Sequence, residues 1–445
     1  QKTADAALFT ETVRKRLTRK PITDVRVIKA SKLTVAQNLF DALCMQLEWH
    51  PKPRAFDYDL FTECVLEQEM KKIEGRSAAT LLANEKRSDP SADPNEVMHF
   101  VKSQVKAKVE ALLKPAKAGQ TLALCHDSVL FDYGPCVKYV RRVLYPEIPS
   151  NIVLNIGLSP SALSDRVQGS WIDRPSTAND YTAFDASQGY DSVLLECHVM
   201  RLAGLPDALV DNYEQWKVSI RSNLIGPKDV SRDTGEPGTF DFNTLFSIAV
   251  SSLKYGKIHC LALFGGDDSA INQACVERPQ WAAQSRHIAV ISKTVVAPSI
   301  DFCGYVVTSA GLIRNPTLMY LKTLFHIVKD DLMAVLPSYL AELHTAYRLG
   351  DVMSDHLSEI DIHCLGFLIE LGHKLCPTLS IILFSQQRFT SHAIQALRES
   401  CSILIARLWL LTRPEKRLLR RQHHLLRALC LRLGLDTPPL IKALI

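Results

Sequence analysis

Residues 261 to 273 read LALFGGDDSAINQ and set two adjacent carboxylates, Asp267 and Asp268, on a Gly-Gly bend after an apolar run. Like charges that close repel and raise one another's pKa, so the pair is costly unless a cation relieves it. A Gly-Asp-Asp tripeptide alone is also what an ordinary hairpin turn contains. A second acidic strand, DYTAFD at 180–185, changes the balance. Magnesium is a hard ion that takes oxygen ligands from separate elements, and Asp180 on one strand with Asp267 on a neighbouring hairpin could hold two such ions. Two divalent ions about 4 Å apart activate an attacking hydroxyl and stabilise the leaving oxygen of an in-line phosphoryl transfer.

Asp180 and Asp185 stand five apart, an odd offset that puts them on opposite faces of a continuous strand. They serve one site only if the strand ends between or at them, and DASQG (185–189) is read as that end. Asp180 then stays with the metals while Asp185 turns toward a substrate sugar. Between the two acidic stretches, the loop with Gly235, Pro237 and Gly238 lets backbone approach a ligand closely. The helix after it carries Thr239 and Asn243 on one face, a pair that plain helix capping also explains.

The elements that must position these residues follow from periodicity. In 177–206 the pattern predicts a short strand, a polar turn at Ser187 to Gly189, and a helix that stops at Gly204 and Pro206. Phe242, Leu245, Phe246, Ala249, Val250 and Leu253 fit a helical template. KIHCLALF (257–264) is read as a buried strand with SAINQ returning beside it, and DFCGYVVTSAGLIRN (301–315) as a second hairpin bent at Ser309 to Gly311. From 316 to 433 the patterns are almost wholly helical.

With 445 residues, 47% of them hydrophobic, the chain can bury several cores. Twelve cysteines, none in a C-x-x-C pair, read as reduced thiols and not as a disulfide framework or structural zinc site. The longest apolar stretch, CSILIARLWLLT (401–412), is short and broken by Arg407, so no transmembrane helix is expected. The net charge of +5 is concentrated at 413–432, where seven Arg or Lys face one acid, Glu415, between recurring leucines. The basic run RKRLTRK (14–20) reads as a solvated face. The chain opens on Gln1, which suggests a piece of something longer.

DYTAFD, TGEPGTFDFNT (234–244) and GGDD, in that order and at these separations, resemble motifs A, B and C of viral RNA-dependent RNA polymerases. Within that class the chain is most similar to the alphavirus-like supergroup, in particular the tymovirus and flexivirus polymerases. RSDP (87–90), FVKSQ (100–104), KAGQT (117–121), FCGY (302–305) and AYRLGD (346–351) extend the resemblance over about residues 80 to 351. It implies Asp180 and Asp267 as principal metal ligands with Asp268 adjoining, and Mg²⁺ or Mn²⁺ as cofactor. It implies Asp185, Thr234 and Asn243 as readers of the ribose 2′-hydroxyl, with Gly235 and Thr239 also in the nucleotide-binding loop. The family usually carries Ser where Thr234 stands. Lys102, Lys106 or Lys108, and Lys117 match the basic fingers motif that faces the triphosphate, and Lys293 is the nearest candidate for the lysine that protonates departing pyrophosphate.

The expected fold is α+β, a right hand with an N-terminal extension (1–75), fingers (76–165), a palm with an antiparallel sheet (166–320, with a fingers insertion near 205–232), a helical thumb (321–412) and a basic amphipathic segment (413–445). The expected function is template-directed RNA synthesis from NTPs in viral genome replication. The expected partners are template and nascent RNA, upstream capping and helicase domains of the same polyprotein, and a membrane surface through 413–445, in membrane-associated replication complexes of the host cytoplasm. A reverse transcriptase would place a bulky aromatic where Asp185 stands. The rival from another class is an inactive RNA-binding or scaffold subunit that keeps the fold.

Overall fold

Ala36, Leu39, Leu43 and Leu47 recur at helical spacing and are fully buried, on the helix Val25–Leu47. The computed structural model describes residues 6–17, 25–74, 91–101, 119–288 and 290–376. Contacts divide the described residues into two units, the first lying within 6–101, 119–156 and 175–297, the second within 157–174 and 298–376.

In chain order the strands are β1 (Glu96–Val101), β2 (Thr121–Leu124), β3 (Ile152–Leu154), β4 (Ser176–Tyr181), β5 (Arg221–Ser222), β6 (Gly226–Pro227), β7 (Ala262–Gly265), β8 (Asp268–Ile271), β9 (Ser292–Ala297), β10 (Ile300–Phe302), β11 (Tyr305–Thr308) and β12 (Gly311–Arg314). The fold is mixed α and β, as expected.

The first unit is built around two sheets. One has the order β2-β1-β5-β6; the other, β3-β7-β8-β4-β9, is antiparallel except where β3 runs parallel to β7. Helix Val25–Leu47 packs against helices Thr239–Tyr255 and Tyr190–Leu202, so the stretch expected as an N-terminal extension supplies part of this core. Helix Thr239–Tyr255 is buried almost all round, including Asn243, Thr244, Ser247, Ser251 and Ser252. The helix expected from the apolar spacing is present, and it is a core helix.

Two expected strands differ in extent. Of 257–264 only Ala262 onward is strand. Ahead of it, side chains occupy the backbone: Gln46 donates to the Ile258 carbonyl (2.9 Å) and accepts from the Ile258 N–H (2.7 Å), and the Asn151 amide lies 3.2 Å from the Ile258 and Cys260 carbonyls. Backbone groups satisfied that way need no strand partner.

In the second unit, 301–315 forms a three-stranded meander, not a single hairpin. Its extra turn lies at Cys303 and Gly304, both at positive φ (51° and 78°), as a tight two-residue hairpin turn requires. This meander groups with the helices that follow it, where the expected palm-to-thumb boundary stood at 320. Helices Pro316–Lys329, Leu332–Tyr347 and Glu359–Leu375 pack around Leu336, Leu340, Leu343, Leu368 and Leu371, all fully buried. Residues 377–445, with the basic segment, lie outside the described residues, as do 102–118. Among the described residues no helix is long and apolar enough to cross a membrane.

Candidate active site

Fully buried Ala262, Leu263 and Phe264 drive β7 into the core, and the hairpin reverses through Gly266 and Asp267, with Gly265 paired to Asp268. Gly266 takes φ 64°, as the first central position of a type II′ turn needs. Its N–H donates to the Thr244 hydroxyl at 2.9 Å, which ties the tip to helix Thr239–Tyr255. Asp267 is exposed at that tip and Asp268 half-buried. Burial pushes the neighbouring Tyr181 phenol up to about 12, with the negative charge of Asp267 among the smaller causes.

On β4 the period of two sends Asn179 inward and Asp180 outward. The Asn179 amide donates to the Ser269 hydroxyl (3.1 Å), and its carbonyl accepts from Tyr255 (2.7 Å) and Thr294 (3.0 Å). Asn179 pairs with Ser269 on one side, and Asp180 with Lys293 on the other. One further step along the first register sets Asp180 level with Asp268. Asp268, Asp180 and Lys293 thus form a cross-strand row on β8, β4 and β9, with Asp267 at the adjoining tip. Among the described residues no group of three or more His, Cys, Asp or Glu is gathered tightly enough to hold a metal by itself.

The strand ends earlier than DASQG. Beyond Tyr181, Ala183 adopts left-handed φ 52°, and Asp185 sits in the short helix Phe184–Ser187. The turn swings Asp185 off the strand axis toward helix Thr239–Tyr255. There Asn243 Nδ2 donates to Asp185 Oδ1 at 2.7 Å and the Thr234 hydroxyl donates to Oδ2. The three residues expected to read a ribose are therefore joined through Asp185.

The loop carrying Thr234 is held by backbone. The Ala123 N–H on β2 donates to the Thr234 carbonyl at 2.8 Å, and Gly235 (φ 115°) passes so close that a Cβ would lie 2.5 Å from the Ala123 carbonyl oxygen. Thr239 lies elsewhere in role: its hydroxyl donates within the loop, 2.8 Å from the Glu236 carbonyl and 3.0 Å from that of Asp233. Lys102, Lys106, Lys108 and Lys117 fall outside the described residues.

Behind Asp185, Asn243 and Thr234 lies a charged cluster that sequence reasoning missed. Lys217 Nζ lies 2.7 and 2.8 Å from the two Glu236 oxygens, Arg232 bonds both Glu236 (3.1 Å) and Glu196, and Tyr213 donates to Glu196. All are buried. Although burial pushes the other way, Glu196 and Glu236 hold the Arg232 guanidinium above its ordinary value. Asp233 is likewise held below the usual carboxylate range against burial, by Lys228 (2.6 Å) and His99 (3.1 Å). Charged residues in a Gly/Pro loop read as solvated. The available signal was Gln188, Ser192 and Glu196 recurring every fourth residue, the last two within helix Tyr190–Leu202.

Residues 14–285 match the protein family described as RNA dependent RNA polymerase. The chain belongs to that family. The non-structural replication polyprotein of Turnip yellow mosaic virus is 33% identical over 375 residues, 84% of this chain and 20% of that polyprotein. That of Grapevine fleck virus (isolate Italy/MT48) is 33% identical over 347 residues, 78% of this chain and 18% of its own. The RNA replication protein of Botrytis virus F is 31% identical over 356 residues, covering 80% and 18%. The chain spans about a fifth of the length of these curated relatives. The family match contains all three acidic and loop motifs and stops short of Lys293.

Proposed function

We propose that the chain is the polymerase portion of a viral replication polyprotein and performs template-directed RNA synthesis, joining an RNA 3′-hydroxyl to the α-phosphate of an NTP with release of pyrophosphate. The observation that carries this reading is the β8–β4 pairing, which brings Asp180, Asp267 and Asp268 to one end of one sheet. In this reading the first unit's sheet is the palm of a right-hand polymerase and the helices after the meander belong to the thumb.

The donor set fits Mg²⁺ or Mn²⁺. Such ions use one or two protein carboxylates and complete their shell with water and substrate phosphates, so an all-protein cage is not required. Asp180, Asp267 and Asp268 would hold them; bound there, they supply an activated attacking oxygen and counter-charge to the leaving one. Lys293, level with Asp180, stands ready to give a proton to departing pyrophosphate. Asp185, Asn243 and Thr234 receive the ribose 2′-hydroxyl. Upstream capping and helicase domains, a membrane contact through 413–445 and replication complexes in the host cytoplasm belong to the same proposal.

Primer extension on an RNA template with labelled NTP tests it. Wild type should incorporate, and Asp180→Ala and Asp267→Ala should each fall below a tenth of its turnover, more than ~1.4 kcal/mol of barrier, while unfolding temperature changes little because relieving repulsion removes no packing. An inactive wild type that still binds RNA would instead identify a scaffold that keeps the fold.

A further inference from the structure

We propose that Gln188 is a positioning residue for sugar selection, passing a fixed orientation from the buried Arg232 guanidinium to the Asn243 amide. The proposal rests on the reading of Asp185 and Asn243 as the ribose sensor.

An arginine can only donate. Arg232 Nε lies 3.3 Å from Gln188 Oε1, so the Gln188 amide must turn its oxygen toward Arg232. The Ser192 hydroxyl lies between the same oxygen (2.9 Å) and Glu196 Oε1 (3.0 Å), with one proton to give to either. The Gln188 NH₂ is then committed to the opposite side, where Nε2 donates to Asn243 Oδ1 at 2.6 Å. With its oxygen engaged, Asn243 has only its NH₂ to present to Asp185, and Nδ2 donates there at 2.7 Å. Each amide has two orientations of similar shape; the guanidinium selects that of Gln188, and Gln188 and the acceptor-only Asp185 carboxylate agree on that of Asn243. Arg232 is itself fixed by Glu196 and Glu236 in a buried setting.

The consequence is chemical. A 2′-hydroxyl arriving beside Asp185 meets a donor on Asn243 and an acceptor on Asp185, and can satisfy both. Were Asn243 reversed, its carbonyl would face the Asp185 carboxylate, and the hydroxyl would meet two acceptors with one proton. A deoxynucleotide is indifferent to the reversal. Gln188, buried at 1% exposure, therefore acts on the sugar through Asn243 without touching it.

The test uses the full chain as wild type, Gln188→Glu, Gln188→Met and Asn243→Ala. Two readouts are compared: kcat/KM for GTP over dGTP in primer extension, and binding of the same two nucleotides to enzyme on an RNA primer ending in a 3′-deoxynucleotide. In Gln188→Glu the introduced carboxylate still accepts from Arg232 but sets a second acceptor against the Asn243 carbonyl, which works to reverse the amide against the hold of Asp185. This variant should lower the GTP-to-dGTP ratio about tenfold, by weaker GTP binding and raised KM, with dGTP little changed. Gln188→Met, which frees the amide without reversing it, should fall between. An unchanged ratio in Gln188→Glu, or in Gln188→Met should the first fail to fold, overturns the proposal. So does an equal fall for both nucleotides, which marks plain structural support. If Asn243→Ala lowers the ratio in the same experiment, the sugar reading survives that failure; if Asn243→Ala leaves it unchanged, both are withdrawn.

Discussion

Asp185 accepts from two donors that reach it from one loop and the helix that follows it, Thr234 and Asn243. Thr239, the other hydroxyl expected beside them, is turned into its own loop. The two therefore separate experimentally. Thr239→Val should cost about 1 kcal/mol of stability, the ordinary worth of such a hydrogen bond, read as a lower urea midpoint at constant slope. Its GTP-to-dGTP preference should match wild type; a lowered preference would return Thr239 to the nucleotide. At this scale the acidic residues were legible because an adjacent pair of like charges demands an explanation from sequence alone. Gln188 was not, since a glutamine carries no charge cost and its meaning comes only from Arg232, which lies far along the chain.

Among the elements, the loop from 231 to 239 is the one whose shape is most constrained. Gly235 combines φ 115° with a backbone oxygen where a Cβ would stand, so Gly235→Ala should push the loop from β2 and cost about 1–3 kcal/mol. The measured counterpart is a higher nucleotide KM together with a lowered unfolding temperature. Deeper in, Lys217→Met leaves Glu236 with Arg232 alone inside the core, and breaking a buried pair that way costs about 3–5 kcal/mol. Adding Glu236→Gln should recover part of it, since the unpaired charge is then gone; no recovery in thermal melts would mean that packing and not charge sets the loss. The strand, turn and helix of 176–202 were readable from punctuation by Gly and Pro. Less legible was the point where β4 stops, because Ala183 in a left-handed conformation has no sequence signature.

For the whole molecule, ten cysteines in the described residues are free thiols, and burial pushes those of Cys125, Cys136 and Cys364 up to about 12. A thiolate is the reactive form, so iodoacetamide at pH 8 should leave these three unmodified in the native chain and label them after unfolding. At the C-terminal end the basic, leucine-containing segment 413–445 sets a second expectation. Removing it should reduce flotation with anionic liposomes or weaken RNA binding; unchanged flotation and RNA affinity would leave a solvated face as its only role. Fold class and family were legible in the motifs, whereas the division into units was not, because among the described residues the meander at 300–314 pairs only with itself and takes its place from the helices after it and from helix Pro160–Val167 before it.

The sheet order β3-β7-β8-β4-β9 has a consequence for how the chain is made. On the ribosome β4 emerges before both of its neighbours. Asn179 waits 90 residues for Ser269 and 115 for Thr294, while β7 and β8 meet across a two-residue turn as soon as both are out. Closing the longer loop costs about 4 kcal/mol in chain entropy from its length alone. The nascent hairpin thus forms around Asp267 and Asp268 before Asp180 joins it, and the acidic end is completed when β4 pairs with β8. During refolding, pulsed hydrogen exchange should find amides of β7 and β8 protected before those of β4, so that a partly folded chain holds every acidic residue without the site.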